Sequence, residues 1–363
     1  MSDDNDSPVG YAALEAALDK THPDPNALVM HSPIPRMLGG EQALDDIYVR
    51  HVDQPEPHWL LVSAGLTELY DKESPNREVS GFGLELTLRV KRAEGEQGPP
   101  NWAINFLENV GHYIASTGNV FGDGHTMDLN GPICAGDPTE IQAMTARLNP
   151  ALGSIDTPNG HVDFIQIVGI TGDELAAMKA WKNEAVLVEL NAVNALGIID
   201  LRRLSVLSNP EAAKRIAEGT AREGSSTGFL FDGYTRFKVS SRLFGGRRAD
   251  VYLGAGGVAE VARIVQGRLP FGRELILQLE DGSQLVFEPG KPGWRAEKTD
   301  GATPGQPLQR LVLTLDADST KALVAALQPR RGDFALPGTA DVTFHIEQTV
   351  IRDPQGRPVE TIG

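Results

Sequence analysis

Several groups of residues have types and spacings that could do chemistry. Asp123, His125 and Asp128 lie in one loop, Phe121–Pro132 (FGDGHTMDLNGP), with His112 a short way upstream. Imidazoles and carboxylates this close could hold a metal or form an acid–base pair, but the chain has neither H-x-x-x-H nor H-E-x-x-H. The competing reading is a loop whose Asp and Asn side chains bond their own backbone. Gly254–Ala259 (GAGGVA) matches G-x-G-x-x-A, with Glu274 twenty residues on. Glycines so spaced let backbone amides approach a pyrophosphate at a helix N-terminus. Here Glu274 follows Pro270–Phe271–Gly272 and opens its strand, so a plain strand-to-helix turn is the better reading. Ser63, Ser80 and Ser225–Ser226 lack the G-x-S-x-G elbow. Cys134, the single cysteine, has no local histidine signature and is expected as a buried thiol. Asp200, Arg202 and Arg203 could place charges at a strand end facing a cleft, but an internal ion pair is the better reading. No catalytic, metal-binding or cofactor-binding residue is assigned.

The elements that would position these residues are legible from periodicity. Tyr11–Leu18 has helical spacing, and Trp59–Val62 is a short apolar strand. Phe82, Leu84, Leu86, Leu88 and Val90 alternate with Gly83, Glu85, Thr87 and Arg89, which predicts a half-buried strand. Asn101 is expected to cap a helix whose apolar face is Trp102, Phe106, Val110, Tyr113 and Ile114, ending before Gly118. Trp59 and Trp102 are read as core; Tyr113 at the helix end and Phe121 in an exposed loop are candidates for a binding surface. Val162–Ile170 reads as a strand, Thr171–Trp181 as a helix capped by Thr171, Ile198–Leu201 as a strand, and Pro210 as a helix start. Strands are expected near Phe229–Val239, Asp250–Leu253, Glu274–Leu279, Gln284–Phe287, Leu311–Leu315 and Val342–Ile346, with a hairpin turn at Asp281–Gly282. Val258–Gln266 and Asp318–Leu327 read as helices.

Irregular alternation of strands and helices in both halves predicts an α+β (mixed α/β) chain of two domains, each a mixed sheet flanked by helices. The expected boundaries are 1–222, a linker at 223–228 (EGSSTG) and 229–363. With 40% hydrophobic and 23% charged residues the chain can build a core. A net charge of −16 disfavours nucleic acid as a partner and suits a basic one. No apolar run reaches the length of a membrane span, and Met1–Ser7 (MSDDNDS) is acidic rather than signal-like. With one cysteine, these features lead to the expectation of a cytoplasmic protein without membrane contact.

Six separated blocks carry a resemblance: HWLLVSAGLTELY at His58, SGFGLELTLRVKR at Ser80, PPNWAINFLENVGHYI at Pro99, STGNVFGDGH at Ser116, VDFIQIVGITGDEL at Val162 and IIDLRR at Ile198. In this order they resemble the N-terminal domain of the Suppressor-of-fused family. RIVQGRLPFGRELIL at Arg263 and LVLTLDADSTKALVAAL at Leu311 are similar to its second domain, so the resemblance runs from Tyr48 to Glu347. It implies a non-catalytic binding protein that captures a peptide or protein partner as an added strand in a cleft between two domains. Carried over, the family's cleft tyrosine falls on Tyr113, its loop phenylalanine on Phe121, and a peptide-contacting aspartate on or beside Asp123. The long acidic insertion of the animal proteins is absent and the chain is compact, as in bacterial relatives; bacteria lack Gli-type factors, so that partner does not simply transfer. Family analogy also offers an immunity protein neutralising a polymorphic toxin. A metal- or nucleotide-dependent enzyme is the alternative from another class.

Overall fold

The computed structural model describes residues 8–34, 40, 42–241, 246–299, 308–339, 341–352 and 356–363; the acidic start at Met1–Ser7 lies outside the described residues. The fold is α+β, and the chain divides into two compact units, Met1–Leu175 with Leu187–Pro210, and Ala176–Val186 with Glu211–Gly363.

The first unit is built on one mixed sheet. Its strands are β1 (Leu28–His31), β2 (Asp46–Val52), β3 (His58–Ala64), β4 (Val79–Lys91), β5 (Thr126–Asp128), β6 (Ile141–Leu148), β7 (Ser154–Thr157) and β8 (Gly160–Thr171). They run in the order β1-β2-β3-β4-β8-β6-β5, with β7 also on β8. Only the β4–β8 join is parallel within this sheet. The α-helices among the described residues are α1 (Val9–Thr21), α2 (Asn101–Thr117), α3 (Gly172–Ala180), α4 (Asn183–Val193), α5 (Pro210–Glu223), α6 (Val258–Arg268) and α7 (Ala317–Ala326). Strand alternation sorts the sheet into two cores. Ile47, Val49, Trp59, Leu61, Leu86, Leu88, Ile165 and Ile167 meet Ala103, Phe106, Leu107, Val110 and Ile114 of α2. Tyr48, Leu60, Val62 and Phe164 meet Leu14 and Leu18 of α1 on the other side.

Helices on both faces overturn the half-buried reading of β4. Leu84 through Val90 are all buried, including Glu85, Thr87 and Arg89 on the α1 side. Glu85 is fully buried because it is fully bonded: its Oε1 accepts from the N–H groups of Gly65 (3.0 Å), Leu66 (3.1 Å) and Thr67 (2.9 Å) and from the Thr67 hydroxyl (2.7 Å). Ser63 donates to its Oε2. Arg89 donates to His58 Nε2 at 2.6 Å and His22 Nε2 at 3.2 Å. Burial holds both histidines down, to about 4, so both rings stay neutral acceptors.

α1 closes against the β3–β4 connection through Gly10, whose N–H donates to Leu69 O at 2.9 Å. A Cβ there would stand 2.4 Å from Glu68 O and 2.6 Å from Leu69 Cα, both backbone atoms. Gly10→Ala is therefore expected to lower stability by about 1–3 kcal/mol through overpacking, with faster proteolysis confined to α1. A variant as stable and as resistant as the parent would show that α1 docks by some other contact.

The second unit has two sheets over one core. β9 (Phe229–Phe231), β10 (Arg236–Ser241), β11 (Arg247–Gly254), β12 (Leu275–Gln278), β13 (Gln284–Pro289), β14 (Gly293–Thr299), β15 (Leu308–Leu315), β16 (Gly332–Ala335) and β17 (Val342–Glu347) form them; β18 (Thr349–Arg352) and β19 (Pro358–Ile362) make a hairpin. The orders are β14-β15-β13-β12-β9 and β10-β11-β17-β16. The span expected as one strand, Phe229–Val239, is two strands in different sheets, because the Asp232 carboxylate accepts from Tyr234 N and both N and Oγ1 of Thr235 and turns the chain. The hairpin expected at Asp281–Gly282 joins β12 and β13 antiparallel. Leu253, Val265, Leu277, Phe287, Leu313, Leu323 and Phe344 lie in the shared core. The expected strand at Ile198–Leu201 is a single bridge from Ile199 to Val90.

Candidate functional site

The first unit carries a groove of about 510 Å³ lined by Trp102, Asn105, Phe106, Asn109, Val110, Tyr113, Met127, Leu129, Pro132, Ile133 and Ala135. One wall is the stripe 102, 105/106, 109/110, 113 on α2, the spacing that puts side chains on one helical face. Pro100, not Asn101, is the N-cap of α2, and Gly118 ends the helix in the left-handed region at φ 74°. Ala103, Phe106, Leu107, Val110, Gly111 and Ile114 face the core, which leaves Trp102 and Tyr113 half-buried on the rim. Trp102, expected in the core, is thus a wall of the groove.

The other wall is β5 and the segment after it. β5 is the terminal strand of its sheet, paired to β6 on one side, and no described strand covers its other edge. Leu129 N donates to Gln142 O at 3.0 Å and Ala146 N to His125 O at 2.8 Å. Antiparallel ladders alternate, so residues 125, 127 and 129 bond inward while the backbone groups of Thr126 and Asp128 point to the open edge. Met127 and Leu129 pack against the α2 core. An apolar trough beside an unpaired strand edge can accept an extended chain, with backbone groups giving affinity and the trough choosing side chains.

Tyr113 and Phe121 come together, ring centroids 5.8 Å apart. Phe121 is not exposed as expected; it is buried in the α2 core and backs Tyr113 from beneath. The Tyr113 hydroxyl accepts from the Asn119 amide at 3.2 Å. Asp123 is exposed, but its Oδ1 accepts from Leu148 N at 3.2 Å at the end of β6, away from the groove lining. Asn105, Asn109, Met127, Leu129, Pro132, Ile133 and Ala135 were not singled out in the sequence. The signal present was the pair of asparagines on an otherwise apolar helical stripe.

The residues weighed for chemistry serve the fold. His125 Nδ1 lies 3.2 Å from Gly122 N, and Asp128 accepts from Asn130 N at 2.8 Å, so each side chain bonds its own loop. Among the described residues no group of three or more His, Cys, Asp or Glu could hold a metal ion. At the GAGGVA turn a Cβ on Gly254 would meet Tyr234 Cβ at 2.7 Å and Thr349 Oγ1 at 2.8 Å, and Gly256 N already donates to Thr349 Oγ1 at 3.0 Å. Those glycines admit protein neighbours. Ser80 accepts from Glu68 N, and Ser225 donates to Lys179 O. Cys134 is buried, donates to Asp137 at 3.3 Å, and its thiol pKa is raised, chiefly by burial. Arg203 pairs with Glu174 and Asp200 with Lys91. No helix among the described residues is long and apolar enough to cross a membrane.

Comparison with known proteins places this architecture. The family profile for Suppressor of fused protein (SUFU) matches residues 40–204. The Suppressor of fused homologs of Homo sapiens and Mus musculus are each 30% identical over 234 residues, covering 60% of this chain and 48% of theirs. The chain thus spans about half the length of the curated relatives it matches. The crystal structure of Drosophila Suppressor of Fused superposes with a TM-score of 0.73 at 21% identity, over 94% of this chain and 97% of that one. A chain of the Sufu–Fu complex crystal structure aligns at 29% identity and a TM-score of 0.54, over 58% of this chain and 98% of that one. Residues 40–204 match the Suppressor of fused family by sequence, and the chain shares the fold of the Drosophila protein along nearly all its length.

Proposed function

We propose that this chain is a non-catalytic binding protein that captures an extended segment of a protein partner as an added strand on β5, over the α2 groove. The observation that carries the reading is the open β5 edge beside an apolar trough. The complex formed by a Sufu relative supports the class of function. In this reading Tyr113 supplies apolar contact, Phe121 holds Tyr113 in place from below, and Asp123 fixes the end of β6 that aligns the edge. The second unit has its own terminal strand in β9, with Phe229 and Phe231 53% and 68% exposed.

Phe121→Ala is a poor probe, because it empties a core position at about 3–5 kcal/mol. Tyr113→Ala and Asp128→Pro are better. The second removes an outward N–H and leaves the residues bonded to β6 untouched. Each is expected to weaken capture of the partner by roughly thirtyfold, the scale of a single hot spot, with unchanged circular dichroism. Affinity capture from the native cytoplasm, read by mass spectrometry, checks this; a partner held equally by both folded variants would place binding elsewhere.

A second reading rests on the charge of −16. Such a surface suits neutralisation of a basic toxin, by steering and charge complementarity. If cells making a toxin encoded beside this protein are not rescued by it, that pairing fails.

A further inference from the structure

We propose that the groove of the first unit continues past Trp102, and that Arg202 there reads a carboxylate of the captured segment, about five residues from the position opposite Tyr113. The inference rests on the groove reading above and adds the chemistry of what the groove selects.

Trp102 lines two hollows, the apolar groove and a second of about 320 Å³ between the end of β4, the turn after it and Ile199–Arg202. The second is built differently. Three cations line it, Lys91, Arg92 and Arg202, with two carboxylates, Glu96 and Asp200, and Asp53 and Glu56 stand behind Arg92 and Lys91. Four of the five lining charges are engaged. Lys91 pairs with Asp200 at 2.7 Å, Arg92 pairs with Asp53 and lies over the Trp59 ring, and Glu96 accepts from Trp59 Nε1 at 3.2 Å. Asp200 also accepts from Arg202 N at 2.9 Å, which fixes the turn. The Arg202 side chain is exposed and forms no ion pair or hydrogen bond among the described residues.

Geometry sets the offset. Trp102 and Tyr113 are separated by eleven positions of α2, about 16 Å at helical rise, which an extended strand covers in about five residues. A guanidinium at the end of that path matches a carboxylate with two parallel hydrogen bonds. A charge on the rim selects among segments more than it adds affinity.

The test uses full-length protein and a displayed library of random dodecapeptides, selected in parallel on the parent, Arg202→Glu and Tyr113→Ala. The parent pool is expected to be enriched about tenfold in Asp or Glu at a fixed offset of about five from an apolar anchor. On Arg202→Glu that preference should vanish or turn to Lys and Arg, and Tyr113→Ala should lose the anchored pool altogether. An anchored pool that depends on Tyr113 but shows no acidic preference, or one unchanged by Arg202→Glu, overturns the Arg202 assignment and leaves the groove standing. A pool equally strong on Tyr113→Ala, or no enrichment on any protein, overturns the groove and this inference with it.

Discussion

Arg203→Met is expected to destabilise the first unit by about 3–5 kcal/mol, the cost of leaving a buried charge without its partner. Glu174 is fully buried and accepts from Arg203 at two points, 2.7 Å and 2.6 Å. It also accepts from Thr171 N at 2.9 Å and Val206 N at 2.7 Å. Arg203 donates further to Gly169 O at 2.8 Å. This one pair ties the start of α3, the end of β8 and the segment after Asp200 together, a stretch otherwise joined to β4 by the Ile199–Val90 bridge and the Asp200–Lys91 ion pair. Because removing Arg203 strips the buried Glu174 carboxyl of its countercharge, the loss exceeds that of the pair as a whole. The double variant Glu174→Gln with Arg203→Met should recover part of the stability. Urea unfolding reads both; a loss below about 1 kcal/mol for Arg203→Met would mean that water reaches Glu174 and the pair behaves as a surface bridge.

The same pair marks where the sequence was legible and where it was not. Local periodicity gave α2 and its stop at Gly118, the apolar β3 and β8, and the turn at Asp281–Gly282, because each is decided by neighbours within a few residues. Contacts from distant segments decided the rest. Glu85, Thr87 and Arg89 alternate with apolar residues as a solvated face would, yet they are buried among distant segments, with Ser63 and Gly65–Thr67 at Glu85, Asn149 at Thr87, and His22 and His58 at Arg89. Trp102 has core spacing, yet the groove opens beside it because the opposite wall is a three-residue strand too short to carry a pattern. Phe121 sits among glycines and looks exposed, but the loop folds its ring under Tyr113. Of the residues that resemblance pointed to, Tyr113 and Phe121 pack together while Asp123 bonds at the end of β6; the open β5 edge follows from strand order alone.

Glu85 provides the prediction with the clearest dependence on pH. Burial pushes its carboxyl up to about 7, against the pull of Ser63, Thr67 and the Gly65 and Thr67 amides. In the unfolded chain a glutamate titrates near its ordinary value of about 4.3. Between those values the folded protein holds a proton that the unfolded chain has released, so folding stability falls as pH rises through this window and levels off above it. Glu85→Gln keeps an acceptor oxygen for the three backbone N–H groups and carries no charge to desolvate. Relative to the parent, this variant is therefore expected to gain about 3 kcal/mol between pH 4.5 and 7, starting from a deficit at low pH, where its amide N–H₂ meets Ser63 Oγ, which already accepts from Leu86 N at 2.8 Å. Glu85→Ala, by contrast, leaves three backbone donors and the Thr67 hydroxyl without an acceptor and should cost about 3–5 kcal/mol at every pH. Chemical denaturation of parent and both variants across that range decides the matter. A parent-to-Gln difference that does not move with pH would show that the five donors hold Glu85 ionised throughout, and that the β3–β4 turn is built around a permanent buried carboxylate.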